Sequence, residues 1–419
     1  MASMLAGNTI CLMLEGCSGS QKLSSAGERA ISKPASSQIT SKQDSAEVPH
    51  PDPPHSQFGS LGGSLLSGFN STKPPKEASG KAQVVSPPTL TPKTLATCSG
   101  PKIGLYSWDQ SSWKSKDSAL IKHLSGSNAR STTCGDVYIN VADYSNPHKI
   151  YHSDSLIPFI KNVRRVGNQG VVYLTYGDVE TKNSTACRMF IDTFFNWYQS
   201  VSSTDMKEMQ PIGVSFDIEH FPIGHTERLL KYAQEKKKAI GAKNVLIQWT
   251  IEGRVNPVDT EAVMRYADSA LMMAYRNYMS RPGDLDGSKN GLLRRMQYML
   301  KEQCVKCLDD AHASKYYTAK ITIMVETACN VGEYCDRVSF CAVDKGPGFV
   351  VSTLDKLKDA MLTTGLITTK QRDRLFNVNS MFSVHHWEWF QCFYRDRNDT
   401  NKLCASYRAA VTACQKESV

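Results

Sequence analysis

Beyond about residue 100 the sequence predicts an α/β fold, a (β/α)8 TIM barrel, and three observations lead there. Eight short, β-rich apolar runs recur, separated by longer stretches of helical periodicity. Strands that alternate with helices pair in parallel, and eight such units close a barrel. No glycine-rich phosphate loop follows the first run, which counts against an open, doubly wound sheet.

In chain order the runs are IGLYSW (103–108), DVYINVA (136–142), GVVYLTY (170–176), IGVSFDI (212–218), NVLIQWT (244–250), SALMMAY (269–275), KITIMVE (320–326) and MFSVHHW (381–387). Each is short, and most are rich in β-branched or aromatic residues, as strands buried on both faces are. The stretches between them, such as RMFIDTFFNWYQSV, HTERLLKYAQEKKKAIG and GLLRRMQYMLKEQCVKCLDDAH, space their apolar residues three and four apart. Residues 98–419 therefore read as one barrel domain. Residues 18–97 are dominated by Ser, Pro, Lys, Gly and Thr and lack long periodic runs, so they read as disordered linker. Residues 1–17 carry a short apolar patch, Ile10 to Leu14, without a basic flank and interrupted by Glu15, a weak signal segment at best.

The chain has 419 residues, of which 41% are hydrophobic, enough for a sizeable core. Its net charge of +9 is spread over helix faces such as Glu235 to Lys238, with no basic stripe interleaved with aromatics. A nucleic-acid partner is not expected. No apolar run reaches the ~20 residues of a membrane span. Thirteen cysteines include two clusters, Cys329, Cys335 and Cys341, then Cys392, Cys404 and Cys414. Such clustering suits disulfides in an oxidising compartment. Glycosylation sequons at Asn70, Asn183 and Asn398 agree with a secreted protein, expected to be a monomer.

A barrel of this kind places its chemistry at the C-terminal ends of the strands. Those ends gather Trp108 and Asp109, Asp143 and Tyr144, Tyr176 and Asp178, then Asp217, Glu219 and His220. The series continues with Trp249 and Glu252, Tyr275 and Arg276, Glu326, and finally His385, His386, Trp387 and Glu388. A purely structural barrel has no reason to crowd acids and aromatics on one rim. Carboxylates beside aromatic platforms are the chemistry of sugars: one acid protonates the leaving oxygen, a second group stabilises the developing cation, and rings stack on pyranose faces. Asp217 and Glu219 lie two apart in a strand and so face the same way. No H-x-H on the first strand and no H-E-x-x-H helix supports a metal site, and no cofactor is expected. Adjacent strand residues face opposite sides, so one of His385 and His386 is expected to look into the barrel.

These residues resemble glycoside hydrolase family 18, the chitinase-like barrels. The family's fourth-strand motif D-x-x-D-x-D-x-E aligns with Ile212, Ser215, Asp217 and Glu219, so two of its four acids are absent. Thr175 to Asp178 align with its third-strand S-x-G-G, and Met273 to Arg276 with its sixth-strand M-x-Y-D. The resemblance implies Glu219 as general acid, Asp217 as the residue that orients a substrate N-acetyl group, Tyr275 as its helper and Trp387 as the pocket floor. DIEHF, MMAYRN, MVETACN and FSVHHWEWF also look like a group of uncharacterised barrels. In the manner of clan A glycosidases, Glu219 would then be acid/base and Glu326 nucleophile, ~5 Å apart. An ion pair between Glu326 and Arg276 is the other reading of that acid. The expectation is a glycoside hydrolase-like enzyme acting on a poly- or oligosaccharide. Its catalytic set is Glu219, Asp217, Tyr275 and Glu326, and its binding set Trp108, Tyr176, Asp178, Trp249, Arg276, His386 and Trp387. The alternative is a catalytically inactive carbohydrate-binding barrel.

Overall fold

The computed structural model describes residues 98, 100–115, 118–125, 133–178, 183–219, 221–252, 257–275, 285, 291–329, 339–343, 345–377, 380–394 and 402–416. The N-terminal segment, Arg276, His220, Cys335, Asn70 and Asn398 lie outside them.

Strands β1 (Ile103–Ser107), β2 (Val137–Asp143), β3 (Val172–Asp178), β4 (Ile212–Ile218), β5 (Val245–Ile251), β6 (Ser269–Met273), β7 (Lys320–Glu326) and β8 (Phe382–His385) close a parallel barrel in chain order. The α/β barrel read from the alternation is the fold observed. Helices α1 (Ala119–Leu124), α2 (Ser153–Arg165), α3 (Ser184–Ser200), α4 (Ser203–Met209), α5 (His225–Ala239) and α6 (Pro257–Tyr266) cover its first half. Helices α7 (Leu292–Tyr298), α8 (Asp310–Tyr316), α9 (Gly346–Thr363), α10 (Thr369–Leu375), α11 (Trp387–Phe390) and α12 (Lys402–Lys416) follow.

Period-2 alternation sorts the strand residues into two sets. The outer set packs on helices, as the Tyr176 ring does on Phe190 of α3 at 5.0 Å. The inner set is aromatic and polar. Tyr106, Tyr138 and Tyr173 stack around the first three strands, with ring centroids 5.6 and 5.0 Å apart. Gly213 makes room for them, since a Cβ there would lie 2.5 Å from the Tyr173 ring. At the opposite end of the barrel Arg164 of α2 donates to the carbonyls of Met209, Asn168, Gly170 and Pro211, tying the start of β3 and β4 to the helix layer. Local signals start the helices: Ser118, Asn183, Ser202 and Asp309 each cap one with a side-chain oxygen, and Thr368 and Gln371 form a capping box on α10.

Two expectations change. The periodic stretch 291–312 is not one helix: a wide turn at Met299–Gln303 and a short turn at Val305–Leu308 separate α7 from α8. The Cys304–Cys307 disulfide closes that break, and Asp309 restarts the helix by accepting from the backbone N–H of Ala311 and His312. The eighth strand stops at His385 rather than running to Trp387, because His386 turns into the left-handed region with φ 56°. Disulfides also join Cys98 to Cys134, Cys329 to Cys341 and Cys392 to Cys404, so both predicted clusters hold a bridge. Among the described residues no helix is long and apolar enough to cross a membrane.

Candidate active site at the C-terminal mouth of the barrel

The inner set rises toward the rim on every strand. On β4 it runs Ser215, Asp217, then Glu219 just beyond the strand, and all three side chains are buried. Ser215 donates to Gln248 Oε1 at 2.9 Å, and Gln248 Nε2 donates on to Ser269 at 3.0 Å and Tyr138 at 3.3 Å. A neutral network thus occupies the place where the family 18 pattern has a further acid. Above it, Asp217 Oδ2 accepts a 2.9 Å hydrogen bond from the Tyr106 hydroxyl. Burial first, then the Asp217 charge, push the Tyr106 hydroxyl well above its usual range, so it stays a donor.

A second chain of contacts begins at Trp108. Its indole N–H lies 2.5 Å from His385 Nε2. An indole N–H only donates, so Nε2 accepts and the His385 proton sits on Nδ1. That Nδ1 is 2.7 Å from Glu326 Oε2. Glu326 Oε1 accepts from the backbone N–H of Thr327 and Ala328, each at 2.7 Å, and faces His386 Nδ1 at 3.1 Å. The imidazoles lie 4.0 Å apart, and Tyr275 stacks on His385 at 5.2 Å. Burial pushes the Glu326 carboxyl up, but the two imidazoles outweigh it and hold the group well below its ordinary range. For His386 burial lowers the value, and the Glu326 charge more than restores it, leaving the imidazole raised.

The rim therefore unites Asp217, Glu219, Tyr275, Trp108, Glu326 and His386 from the sequence-based set. Trp108 is partly exposed and tilts over Tyr106 at 5.0 Å, and Gly177 of β3 leaves space for its ring, since a Cβ there would lie 3.0 Å from it. Three of the expected binding residues face elsewhere. Tyr176 and Trp249 belong to the outer set: Trp249 packs on Phe216 at 5.3 Å and on Phe221. Trp387 is wholly buried with its ring 5.6 Å from His123 of α1, because the left-handed turn at His386 redirects the chain and aims the indole into the helix layer. Trp108 is the tryptophan at the mouth. Asp178 ends β3 and its side chain lies outside the description, as does Arg276.

The Glu326 carboxylate, which the clan A pattern assigns as nucleophile, is 2% exposed and faces four donors. The expectation that one of His385 and His386 faces the barrel is corrected too: both face Glu326, since alternation ends where β8 ends. Among the described residues, Glu326, His385 and His386 are also spaced for a metal ion, with donor atoms within 4.8 Å of one another. The Trp108 N–H forces the His385 proton onto Nδ1, the nitrogen a metal would need, and the trio fits a hydrogen-bonded cluster better than a ligand set.

Sequence reasoning missed Tyr106, whose place one inner step below Trp108 was the available signal. It placed His385 and Glu388 on the rim but assigned neither to the catalytic or binding set. Glu388 is buried and accepts from the hydroxyls of Ser107 at 2.5 Å and Ser112 at 3.3 Å, and burial pushes its carboxyl up.

No protein-family model matches this chain, and no curated protein does. Among solved structures it is similar to concanavalin B, at 9% identity and TM-score 0.42, over 75% of this chain and 98% of that one. It is also similar to a xylanase and alpha-amylase inhibitor from Scadoxus multiflorus, at 9% identity and TM-score 0.41, over 74% and 98%. A family 18 chitinase from Cycas revoluta, solved with (GlcNAc)3, matches at 12% identity and TM-score 0.35, over 54% and 68%. Of these three, the Cycas revoluta protein is a chitinase of glycoside hydrolase family 18, and all three are at low identity.

Proposed function

We propose that this barrel is a glycoside hydrolase-like enzyme that cleaves O-glycosidic bonds of a poly- or oligosaccharide with Glu219 as general acid. The observation that carries the reading is the arrangement on β4. Asp217 is buried and oriented by the Tyr106 hydroxyl at 2.9 Å, and Glu219 follows at the next inner position, at the rim. Glu219 is buried, and a general acid must hold its proton until the glycosidic oxygen departs. Trp108 and Tyr275 supply ring faces for a sugar. The four disulfides among the described residues agree with an exported protein.

A second reading, a carbohydrate-binding barrel without catalysis, is favoured by Ser215 and its neutral network, which leave Asp217 without the acid relay of the family pattern. A panel of oligosaccharides separates the two. Hydrolysis by the wild type, abolished in Glu219→Gln with binding retained, supports the enzyme. Retention of an oligosaccharide with no hydrolysis by the wild type supports the binding barrel.

A further inference from the structure

We propose that His386 is the general base of this site, its Nε2 taking the proton from the water that attacks the anomeric carbon. This rests on the glycoside hydrolase reading above and supplies the partner that reading lacks. As the water oxygen bonds to the carbon, its proton passes to Nε2 and the glycosidic C–O bond breaks. The bonding electrons go to the departing oxygen, which takes the Glu219 proton. The step leaves an imidazolium and a carboxylate, which exchange protons with solvent.

Four observations support the assignment. His386 adopts φ 56° and ψ 61°, the left-handed conformation that non-glycine residues adopt only rarely. That turn breaks the strand alternation and brings the imidazole back onto Glu326. Glu326 in turn is fixed by the backbone N–H of Thr327 and Ala328 and by His385, so Nδ1 of His386 points at an immobile carboxylate. Because an ionised carboxylate only accepts, the His386 proton sits on Nδ1 and the lone pair on Nε2. The His386 side chain is 27% exposed against 2% for Glu326, and Nε2 has no partner among the described residues.

Position in the barrel fits the role. β4 and β8 are four strands apart in a closed ring of eight and form facing walls, which places Glu219 and His386 on opposite sides of the mouth. An acid and a base on opposite sides of a sugar, with a water between, is the arrangement of inversion. The groups that act on His386 are Glu326 from β7, Glu388 from α11 and Asp217 from β4, all acidic, beside the His385 ring. Together they overcome burial and raise its basicity above the ordinary imidazole.

Activity against pH, with product anomers followed by NMR, tests the base. Asn tolerates the left-handed backbone, so His386→Asn keeps the turn. Its kcat is expected to fall on the order of 10²–10⁴-fold with KM little changed, and the acidic limb of the rate profile to disappear. Glu326→Gln is expected to move that limb to lower pH. The first product is the inverted anomer. An unchanged limb in His386→Asn, or a retained anomer, overturns the base while leaving the glycosidase reading intact. A wild type that cleaves no glycoside overturns that reading instead. Titration of the His386 imidazole by NMR needs no substrate: its pKa falls in Glu326→Gln, and an unchanged value overturns the pairing with Glu326.

Discussion

The Tyr106 hydroxyl on β1 donates to Asp217 Oδ2 on β4 across the barrel interior, at 2.9 Å, and both residues are buried. That single contact joins two strands far apart in sequence and fixes the carboxylate below the rim. Tyr106→Phe keeps the ring stack and removes the donor. Stability is expected to fall by about 1–3 kcal/mol, the cost of losing one hydrogen bond to a buried carboxylate, read by urea unfolding. Equal stability would show that the hydroxyl is dispensable.

The sequence suggests both Trp108 and Trp387 as binding residues, but Trp387 is wholly buried against the helix layer while Trp108 is partly exposed at the mouth. Trp108→Ala is expected to weaken oligosaccharide binding with a modest loss of stability, because its ring is partly exposed at the mouth. Trp387→Ala empties a fully buried site and is expected to cost about 3–5 kcal/mol. Binding by the folded fraction of that variant should be unchanged. Titration calorimetry paired with unfolding separates the two.

Stability should depend on pH through Glu326 and His386. Glu326 is depressed below its ordinary 4.5, so its contribution is present above that pH and is lost as pH falls through the folded value. His386 is raised above its ordinary 6.5, so its contribution is full below that pH and is lost as pH rises through the folded value. The contribution of the pair is therefore greatest between about 4.5 and 6.5. Asp136, which burial raises to about 7, adds to the decline as pH climbs from acid toward neutral. Glu326→Gln should flatten the alkaline side of the wild-type melting-temperature profile. Parallel profiles would contradict the pairing.

The Cys392–Cys404 bridge ties the segment after α11 to α12, in a small cluster with Cys329, Cys341, Tyr407 and Val411. Replacing both cysteines by Ala is expected to cost roughly 2–4 kcal/mol. The effect would be read as a lower unfolding midpoint in urea, with the slope reporting any change in the unfolded chain.

Much of the barrel was legible because period and composition act locally. DVYINVA, IGVSFDI and KITIMVE are too short and too β-branched to be helices, and their alternation with periodic segments leaves few topologies. Asp217 and Glu219 were legible for the same reason: residues two apart in a strand share a face. Tyr176, Trp249 and Trp387 were misplaced because an aromatic residue near a strand end looks the same whether it faces inward or outward. Parity decides that for Tyr176 and Trp249, counted from Thr175 and Gln248. For Trp387 parity fails, since one left-handed residue resets it.

The sequence alone determined the eight-stranded alternation, the rim on which the acids gather, and the inward pairing of Asp217 with Glu219. These follow from backbone geometry that each segment carries by itself. Only the tertiary structure decided what each rim residue touches. Tyr106 meets Asp217 because closure of the barrel lets inward side chains of β1 and β4, three strands apart, reach each other across the interior. Glu326 meets both imidazoles because β8 ends at His385 and the left-handed turn at His386 brings the second ring onto it. Contacts between strands that are distant in sequence depend on register, closure and a single backbone turn, and no local pattern encodes all three.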